Sequence, residues 1–534
     1  MTSVEKPITA PDNPNQVARR AIDPAVLLAV WCSMFAYSVL AAPIPAVNEP
    51  HYLCKAKHYW QPDWCANDFF LQSSNAHTVF FATVGSLTQW LSFEQTAWIG
   101  RVIAIAILAL GWCNLLSTLV QCRWLTLHSL WLFLALQSCG NFSGEWLVGG
   151  VEGKVFSYGL LFYAFGEIQR GRVVLAGASA GMAIAFHPVI GIWGVLAFVG
   201  TAAVEWIWSR LRSSADQSNA VKAMAPRPGI AQVFIAYGAM AVCALPGLIP
   251  AIQLLGEPAS PQTKAAANFI QVYYRLAHHL DPMRFLPRAY YCYAALLVIW
   301  VAAMFLRGRS TSQRRFDTIV TFAVLFALAG IVIGWGPRPA PQMAWYAQRA
   351  QLLKFYPFRL ADVLVPLAVS IAIVLPLQAR LPIVVKHLGY GLLFAMALVQ
   401  CQVGVDSNRY SGELRTDWIE ACGWIDKNLP PDVLVHSPHN GWAFKWFAQR
   451  AEYVAFKDCP QDANGIVEWN RRLNFLKRWF EDHYADEFYS ADELRDLRRQ
   501  TKITHILTDR LGPLELQPIY HNESFQVYDL KSLD

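Results

Sequence analysis

The sequence predicts a mainly α-helical protein: a polytopic transmembrane helix bundle with about eleven crossings, followed by a small soluble α/β domain. Of the 534 residues, 55% are hydrophobic and only 15% are charged, whereas soluble proteins carry about 25% charged residues. The deficit lies before about residue 403, where apolar runs of roughly 16–25 residues follow one another. Because about 20 apolar residues cross a hydrocarbon core about 30 Å thick, the lipid bilayer is a predicted partner.

The candidate crossing segments and the basic loops between them set the predicted topology. The segments are 24–43, 76–92, 97–119, 124–138, 154–169, 172–187, 189–208, 229–253, 289–306, 317–335, 360–377 and 383–402. Lys and Arg favour cytoplasmic loops, and basic residues lie at 19–20, 170–172, 210–227, 307–315 and 380–386. This pattern predicts an inner (plasma) membrane protein with a cytoplasmic tail 1–22 and a membrane domain 23–403. The outer loops are then 44–77, 139–154, 255–288 and 336–359, and an extracytoplasmic domain spans 404–534.

The first 140 residues pose a parity problem. If the N-terminus is inside and the 139–154 loop outside, the first crossing leads outside, so an even number of crossings must lie between residues 44 and 140. Three apolar runs lie there. The short runs 76–92 and 124–138 are the candidates for a re-entrant or interfacial segment. The alternative places 139–154 inside, but Arg170 and Arg172 then face out, against the charge rule.

The region after residue 403 has the periodicities of an α/β domain. Apolar residues from Trp418 to Leu429 have helical spacing, and the stretch 469–499 reads as charged helices. The stretches 432–436, 504–508 and 525–528 read as strands, the first of them following the Pro430-Pro431 turn.

Several function classes are excluded by the absence of their motifs. The net charge of +6 is small, and the sequence has no basic stripe with interleaved aromatics, so nucleic-acid binding is not indicated. The sequence contains no glycine-rich phosphate loop of the kind that ATP-driven pumps use. The eleven cysteines form no CxxC pair and no zinc spacing, so no metal ligand set is predicted.

The first outer loop carries candidate catalytic residues. Glu49 follows the first crossing run closely, and a partly desolvated carboxylate there can act as a general base or hold a divalent metal. Asp68 is the second candidate, although Asn67-Asp68 before apolar residues also fits a helix N-cap. His51 in the same loop is a candidate for substrate binding.

The second outer loop reads Asn141-Phe-Ser-Gly-Glu145-Trp-Leu-Val-Gly-Gly-Val-Glu152-Gly-Lys154. Charges at a helix entrance are costly unless they are solvated, paired or used, and glycines allow close approach of a ligand to the backbone. Glu152 is therefore a catalytic candidate, and Glu145 and Lys154 are substrate-binding candidates. The alternative is that Glu152 and Lys154 simply pair with each other.

The third group precedes the 360–377 run. Arg349, Lys354 and Arg359 gather where the outer face meets the bilayer, and such cations suit a phosphate or pyrophosphate. Arg359 and Asp362, three residues apart, also fit a structural ion pair on one helix face. His187, at an outer helix end, is a further binding candidate, with helix capping as its alternative role.

These residues carry a family resemblance. They lie in Asn48-Glu-Pro-His-Tyr52, Asn67-Asp-Phe69, Gly149-Gly-Val-Glu-Gly-Lys154, Ala185-Phe-His-Pro188 and Tyr356-Pro-Phe-Arg-Leu-Ala-Asp362. Together with a C-terminal run through His436-Ser-Pro438, Arg450 and Lys457-Asp458, they resemble the GT-C superfamily of integral membrane glycosyltransferases. More narrowly, they are similar to an uncharacterised bacterial polytopic membrane family within or near it.

The resemblance implies a donor sugar on a polyprenyl phosphate and an extracytoplasmic acceptor, with inverting displacement assisted by a carboxylate base. Glu49 or Asp68 would be the base or metal ligand, and Glu152 or Glu145 the second acidic site. Lys154, Arg349 and Arg359 would contact the lipid phosphate. The first loop departs from the family pattern because it lacks an adjacent acidic pair, which leaves open both the base and a role for Mg²⁺ or Mn²⁺.

Two other functions remain compatible with the sequence. One is a secondary transporter or flippase of lipid-linked or polar solutes, although no half of the chain repeats the other. The other is a non-catalytic membrane assembly protein with the same fold.

Overall fold

The computed structural model describes residues 21–211, 229–306, 308–377, 381–403, 410–438, 441–484, 486–509 and 512–533, and it is mainly helical. Within these ranges, seven helices are long and apolar enough to cross a membrane. They are Pro24–Ala41, Phe93–Leu119, Pro188–Leu211, Ile230–Gly256, Pro287–Leu306, Thr311–Gly334 and Arg359–Leu377. The bundle also contains Arg123–Gly140, Gly153–Gln169, Val173–Phe186 and Ile383–Val403. These helices fit a membrane-embedded protein.

Close backbone contacts hold the bundle together. A Cβ atom on Gly111 would lie only 2.0 Å from the carbonyl oxygen of Gly159. The Phe93–Leu119 and Gly153–Gln169 helices therefore meet backbone to backbone, as small residues allow between membrane helices.

The apolar run 76–92 does not form a membrane-length helix. It forms a short α-helix, Thr78–Ala82, and a 3₁₀ helix, Val84–Gln89, and five α-helical residues span only about 7.5 Å. Two long helices remain between residues 44 and 140, Phe93–Leu119 and Arg123–Gly140. Of these two, Phe93–Leu119 is among the seven described helices that are long and apolar enough to cross a membrane.

Short helical segments connect the long helices at one end of the bundle. They are Glu49–Trp60, Phe69–Gln72, Pro261–Phe269, the π-helix Ile270–Arg275, Ala277–Leu280, the 3₁₀ helices Pro282–Arg284 and Ala340–Gln342, and Tyr346–Leu353. They are tied to one another, for example by the ion pair between Arg338 and Asp281.

Basic residues gather at the opposite end. Arg123 pairs with Asp23 at 2.6 Å, Arg315 pairs with Glu205 at 2.6 Å, and Arg170 donates to the Asn114 carbonyl at 3.1 Å. The predicted cytoplasmic tail and its Arg19-Arg20 pair lie outside the described residues, apart from residues 21 and 22.

The C-terminal region contains a five-stranded mixed sheet. Its strands are β1 Leu434–His436, β2 Ala451–Glu452, β3 His505–Thr508, β4 Tyr520–His521 and β5 Gln526–Asp529, in the order β2-β1-β3-β5-β4. β1 is parallel to β2 and β3, whereas β5 is antiparallel to β3 and β4. The helices are Gly412–Asn428, Phe444–Ala448, Ala463–Asp482 and Ala491–Thr501, with a final 3₁₀ helix, Leu530–Leu533. The strands and helices expected from the sequence are therefore confirmed to within a few residues.

Alternating side chains place apolar surface on both faces of this sheet. Val435 and Leu507 face the Gly412–Asn428 helix in one buried cluster. Leu434 and Ile506 face the Ala463–Asp482 helix in another. The result is a helix–sheet–helix sandwich.

The C-terminal domain rests on the looped end of the bundle. Asn67 Nδ2 donates to the Asp432 carbonyl at 3.0 Å, and Arg275 donates to the Lys457 carbonyl at 2.9 Å. Asn464 likewise reaches the Pro258 carbonyl at 3.0 Å. The 44–77 and 255–288 loops are therefore in direct contact with this domain.

Candidate functional site

Asp362 joins the second outer loop to the Arg359–Leu377 helix. Its carboxylate accepts hydrogen bonds from the backbone N–H groups of Phe142 (3.1 Å) and Ser143 (2.8 Å), and from the Ser143 hydroxyl (2.7 Å). The Glu145 N–H lies 3.4 Å away. Asp362 is fully buried, so its role is to position the 142–145 backbone rather than to pair with Arg359.

Glu145 is the centre of a buried charge cluster. Arg359 Nε lies 3.1 Å from its Oε2, and Lys154 Nζ lies 3.6 Å from its Oε1. Oε1 has no hydrogen-bond partner among the described residues although it is buried. Lys154 and Asp362 thus both contact the Glu145 segment and lie on the same side of the bundle.

Aromatic rings support both cations. Lys154 Nζ lies 3.6 Å from the centre of the Trp146 ring, and the Arg359 guanidinium lies 3.7 Å from that of Tyr356. Such contacts are worth about 2 kcal/mol or more when they are desolvated. They hold the two positive charges beside Glu145 in a site that water reaches poorly.

Glu152 belongs to the same cluster. It occupies the N-cap position of the Gly153–Gln169 helix but makes no capping hydrogen bond. Its Oε1 accepts from Asn48 Nδ2 at 2.7 Å, and its Oε2 lies 3.8 Å from Lys154 Nζ. Burial raises the pKa of Glu152, an effect that Lys154 and the Asn48 hydrogen bond oppose.

His187 and two neighbouring rings form the rim of the cluster. His187 Nε2 lies 3.3 Å from Arg359. The His77 ring is 5.7 Å from that of His187 and 5.1 Å from that of Tyr52. Burial lowers the pKa of His77 to about 3, so this ring is neutral and can accept or donate one hydrogen bond.

Glu49 lies beside the cluster, but all its acceptor positions are used. Arg101 donates to both carboxylate oxygens, at 2.7 and 2.9 Å. The N–H groups of Val151 (2.9 Å) and Ala46 (2.6 Å) complete the set. The buried Glu49–Arg101 pair thereby fastens the second outer loop to the first, which favours a structural role over that of a base.

Asp68 lies at the junction with the C-terminal domain, away from Glu152. Its Oδ1 caps the Phe69–Gln72 helix through Leu71 N–H at 2.9 Å. Its Oδ2 accepts from the Glu452 N–H at 3.0 Å and lies 3.3 Å from Lys445 Nζ. The expected N-cap is confirmed, and the remaining oxygen binds the domain.

Lys445 is surrounded by carboxylates from both domains. Its Nζ lies 2.7 Å from Asp458 and 2.9 Å from Glu452, in addition to Asp68. His51 Nδ1 lies 3.0 Å from the other Asp458 oxygen. Burial acts to raise the pKa of Asp458, but Lys445 and His51 outweigh it and hold that pKa well below its usual range.

Arg349 and Lys354 do not join either cluster. Arg349 donates to the carbonyls of Ile333 (2.8 Å) and Trp335 (3.1 Å), where it closes a helix C-terminus. Lys354 Nζ binds the Asn268 side chain at 3.1 Å.

Sequence reasoning missed several residues of the site. Asn48 and Tyr356 lie within motifs that were recognised, but nothing in their spacing shows that they reach Glu152 and Arg359. Lys445 carries no local signal at all, because the carboxylates around it come from distant segments.

Two crevices lie at opposite ends of the bundle. One of about 430 Å³ is lined largely by apolar residues beside the Arg309–Asp317 pair, at the basic end and away from the clusters. The other, of about 340 Å³, lies between the Glu49–Trp60 helix and the C-terminal domain. No group of three or more His, Cys, Asp or Glu side chains in the described ranges is arranged to hold a metal ion.

Comparison with known proteins identifies one segment. Residues 416–476 match a family described as a domain of unknown function, DUF6798. The matched segment contains Lys445, Glu452 and Asp458, the domain's contribution to the junction. No curated protein matches the chain.

Proposed function

We propose that the protein is an integral membrane glycosyltransferase of the GT-C type. It would transfer a sugar from a polyprenyl-phosphate donor to an extracytoplasmic acceptor, with inversion. The observation that carries the proposal is the convergence of Glu145, Glu152, Lys154 and Arg359 in one buried cluster. These residues come from two loops about 200 residues apart, and the cluster lies at the end of the bundle that bears the C-terminal domain.

The proposal includes a topology of eleven crossings, with the basic end of the bundle in the cytoplasm. The even number of long helices between residues 44 and 140 supports it. Exposed positions at the two ends provide the test, Gln342 at the looped end and Thr311 at the basic end. In spheroplasts, a membrane-impermeant maleimide should label a Gln342→Cys variant and not a Thr311→Cys variant, both in a cysteine-free background. Labelling of both from outside would overturn the topology.

Arg359 and Lys154 are the residues proposed to hold the donor phosphate. Both are desolvated and held by aromatic rings, and Arg presents a planar fork that matches phosphate oxygens. As the bond between the anomeric carbon and the phosphate oxygen breaks, negative charge grows on the phosphate. Fixed cations stabilise that charge most strongly where water is excluded.

Glu152 is proposed to contact the donor sugar. Among the described residues, the cation nearest to its Oε2 is Lys154 Nζ at 3.8 Å, so this oxygen can accept a hydrogen bond from a sugar hydroxyl. A resident Mg²⁺ or Mn²⁺ does not fit this donor set, because the carboxylates of Glu145 and Glu152 both face Lys154. No step is assigned to a metal.

The test uses the full-length protein in lipid nanodiscs. Tritiated polyprenyl-phosphate glucose or mannose is mixed with envelope membranes from a strain that lacks the protein, and transferred label is counted. Glu152→Gln should lower transfer roughly 10–100-fold, the loss expected for one hydrogen bond to a charged group, and Arg359→Met should also weaken binding of the polyprenyl phosphate. Glu94→Gln, at an exposed helix start, is the matched control and should leave transfer unchanged.

The alternative functions give different results in the same assay. Movement of the uncleaved donor across proteoliposomes would favour a flippase. Binding without transfer or movement, with normal envelope assembly in the Glu152→Gln strain, would favour an assembly protein. Absence of both binding and transfer would overturn the proposal.

A further inference from the structure

Transfer to a hydroxyl acceptor requires a group that takes up its proton. The carboxylates of Glu49 and Asp68 are unsuited to this step because their oxygens already bind Arg101, Lys445 and backbone N–H groups. His51, in the first outer loop, has a different geometry. Its Nδ1 is paired with Asp458 at 3.0 Å, while its Nε2 makes no hydrogen bond within the described part of the chain and is not enclosed.

The two domains build this pair together. His51 lies in the first turn of the Glu49–Trp60 helix, on the membrane domain. Asp458 belongs to the C-terminal domain and is fixed by Lys445 Nζ at 2.7 Å from its second oxygen. A carboxylate that accepts from Nδ1–H fixes the tautomer in which Nε2 is the basic nitrogen, and it stabilises the imidazolium that proton uptake creates.

The His51–Asp458 pair lines the 340 Å³ crevice between the domains. Val47 and Pro50, on either side of Asn48, also line the crevice. Asn48, one helical turn before His51, is hydrogen-bonded to Glu152.

We propose that His51 is the general base of the reaction and that Asp458 orients it, with the acceptor hydroxyl held in the interdomain crevice. This inference rests on the proposed function. The acceptor oxygen bonds to the anomeric carbon while its proton passes to His51 Nε2. The bond from the anomeric carbon to the phosphate oxygen breaks, and its electron pair leaves with the polyprenyl phosphate beside Arg359. The imidazolium then returns its proton to water.

The charges around His51 agree with this role. Burial lowers the pKa of His51 and Asp458 raises it, while Lys457 and Lys55 oppose protonation further. The imidazole is therefore neutral near pH 7 and ready to accept a proton. Transfer should fall as the pH drops below the pKa of this group.

The test compares His51→Ala with His58→Ala in nanodiscs, with the labelled glucose and mannose donors and the envelope membranes described above. His58 lies on the same helix and binds the Trp64 carbonyl at 2.8 Å, away from Asp458. His51→Ala should lower kcat about 10²–10⁴-fold, leave polyprenyl-phosphate binding unchanged and lose the acidic limb of the pH profile. Added imidazole should restore part of the rate, which a purely structural defect would not allow.

Failure of this inference differs from failure of the proposed function. If the wild type transfers sugar and His51→Ala retains its rate or its acidic limb, His51 is not the base and only the present inference is overturned. If His51→Ala is inactive, melts like the wild type and gains nothing from imidazole, the inference is likewise overturned. If the wild type neither binds nor transfers the donor, the proposed function is overturned and the base assignment with it.

Discussion

Replacing Lys445 by Met would remove the cation that three buried carboxylates share. Lys445 Nζ lies 2.7, 2.9 and 3.3 Å from Asp458, Glu452 and Asp68, and its side chain is only 5% exposed. Removing one partner of a buried ion pair destabilises a protein by about 3–5 kcal/mol, because the remaining charge stays buried without compensation. In a domain of about 130 residues that loss lowers the melting temperature by roughly 10–25 °C.

The assay is thermal unfolding of the full-length protein in detergent, followed by tryptophan fluorescence. Lys477→Met is the matched control, because Lys477 is 70% exposed and its pair with Glu481 spans 3.9 Å. Surface pairs of this kind contribute about 0–1 kcal/mol, so the control should melt close to the wild type. If Lys445→Met melts with the control, the junction does not depend on charge neutralisation and the reasoning fails.

The pH dependence of the stability loss in Lys445→Met provides an independent test. In the wild type the pKa of Asp458 is held below its unfolded value, so its stabilising contribution is present at neutral pH and is lost only in strong acid. Without Lys445, burial would raise the pKa values of Glu452 and Asp458, with only His51 left to oppose it at Asp458. The folded protein would then bind protons more readily than the unfolded chain. The deficit of Lys445→Met should therefore shrink from pH 8 to pH 5. A constant deficit across this range would contradict the electrostatic explanation.

Three further changes test the membrane domain by thermal stability in detergent or by transfer. Gly111→Ala places a Cβ 2.0 Å from a facing carbonyl and should cost about 1–3 kcal/mol. Gly238→Ala, with open space around it inside the Ile230–Gly256 helix, should not destabilise the protein, and equal melting of the two would refute the close contact. Arg101→Met leaves Glu49 buried and unpaired and should cost about 3–5 kcal/mol; wild-type melting would show that the pair is dispensable. Asp362→Asn weakens the hydrogen bonds that residue 362 accepts from the 142–145 backbone. It should reduce the transfer rate more than the melting temperature, and a larger effect on melting than on transfer would contradict this.

The candidate site was only partly predictable. Four charged residues stand out in the sequence because charges at apolar helix ends are costly unless they are paired or bind a ligand. They are Glu145, Glu152, Lys154 and Arg359, and the structure brings them together. Glu49 stands out for the same reason, yet its partner is Arg101, which lies inside an apolar run 52 positions later. A buried charge with a structural role and one proposed to bind a ligand give the same sequence signal, and only their contacts in the tertiary structure distinguish them.

Local patterns determine the elements of this protein. The apolar runs predict long helices because backbone groups in lipid must be satisfied within a helix. The switch to alternating and mixed composition after residue 403 predicts the C-terminal sheet and helices. These features depend on neighbours a few positions apart, so the chain alone contains them.

The tertiary structure decided what the chain alone left open. It showed that the 76–92 run breaks into two short helices, an outcome that depends on packing and not on hydropathy. It also brought His51 to Asp458 and Lys445 to Asp68 across more than 370 positions. Such pairs are set by how two domains dock, and docking depends on the shapes of whole surfaces rather than on any local run of residues.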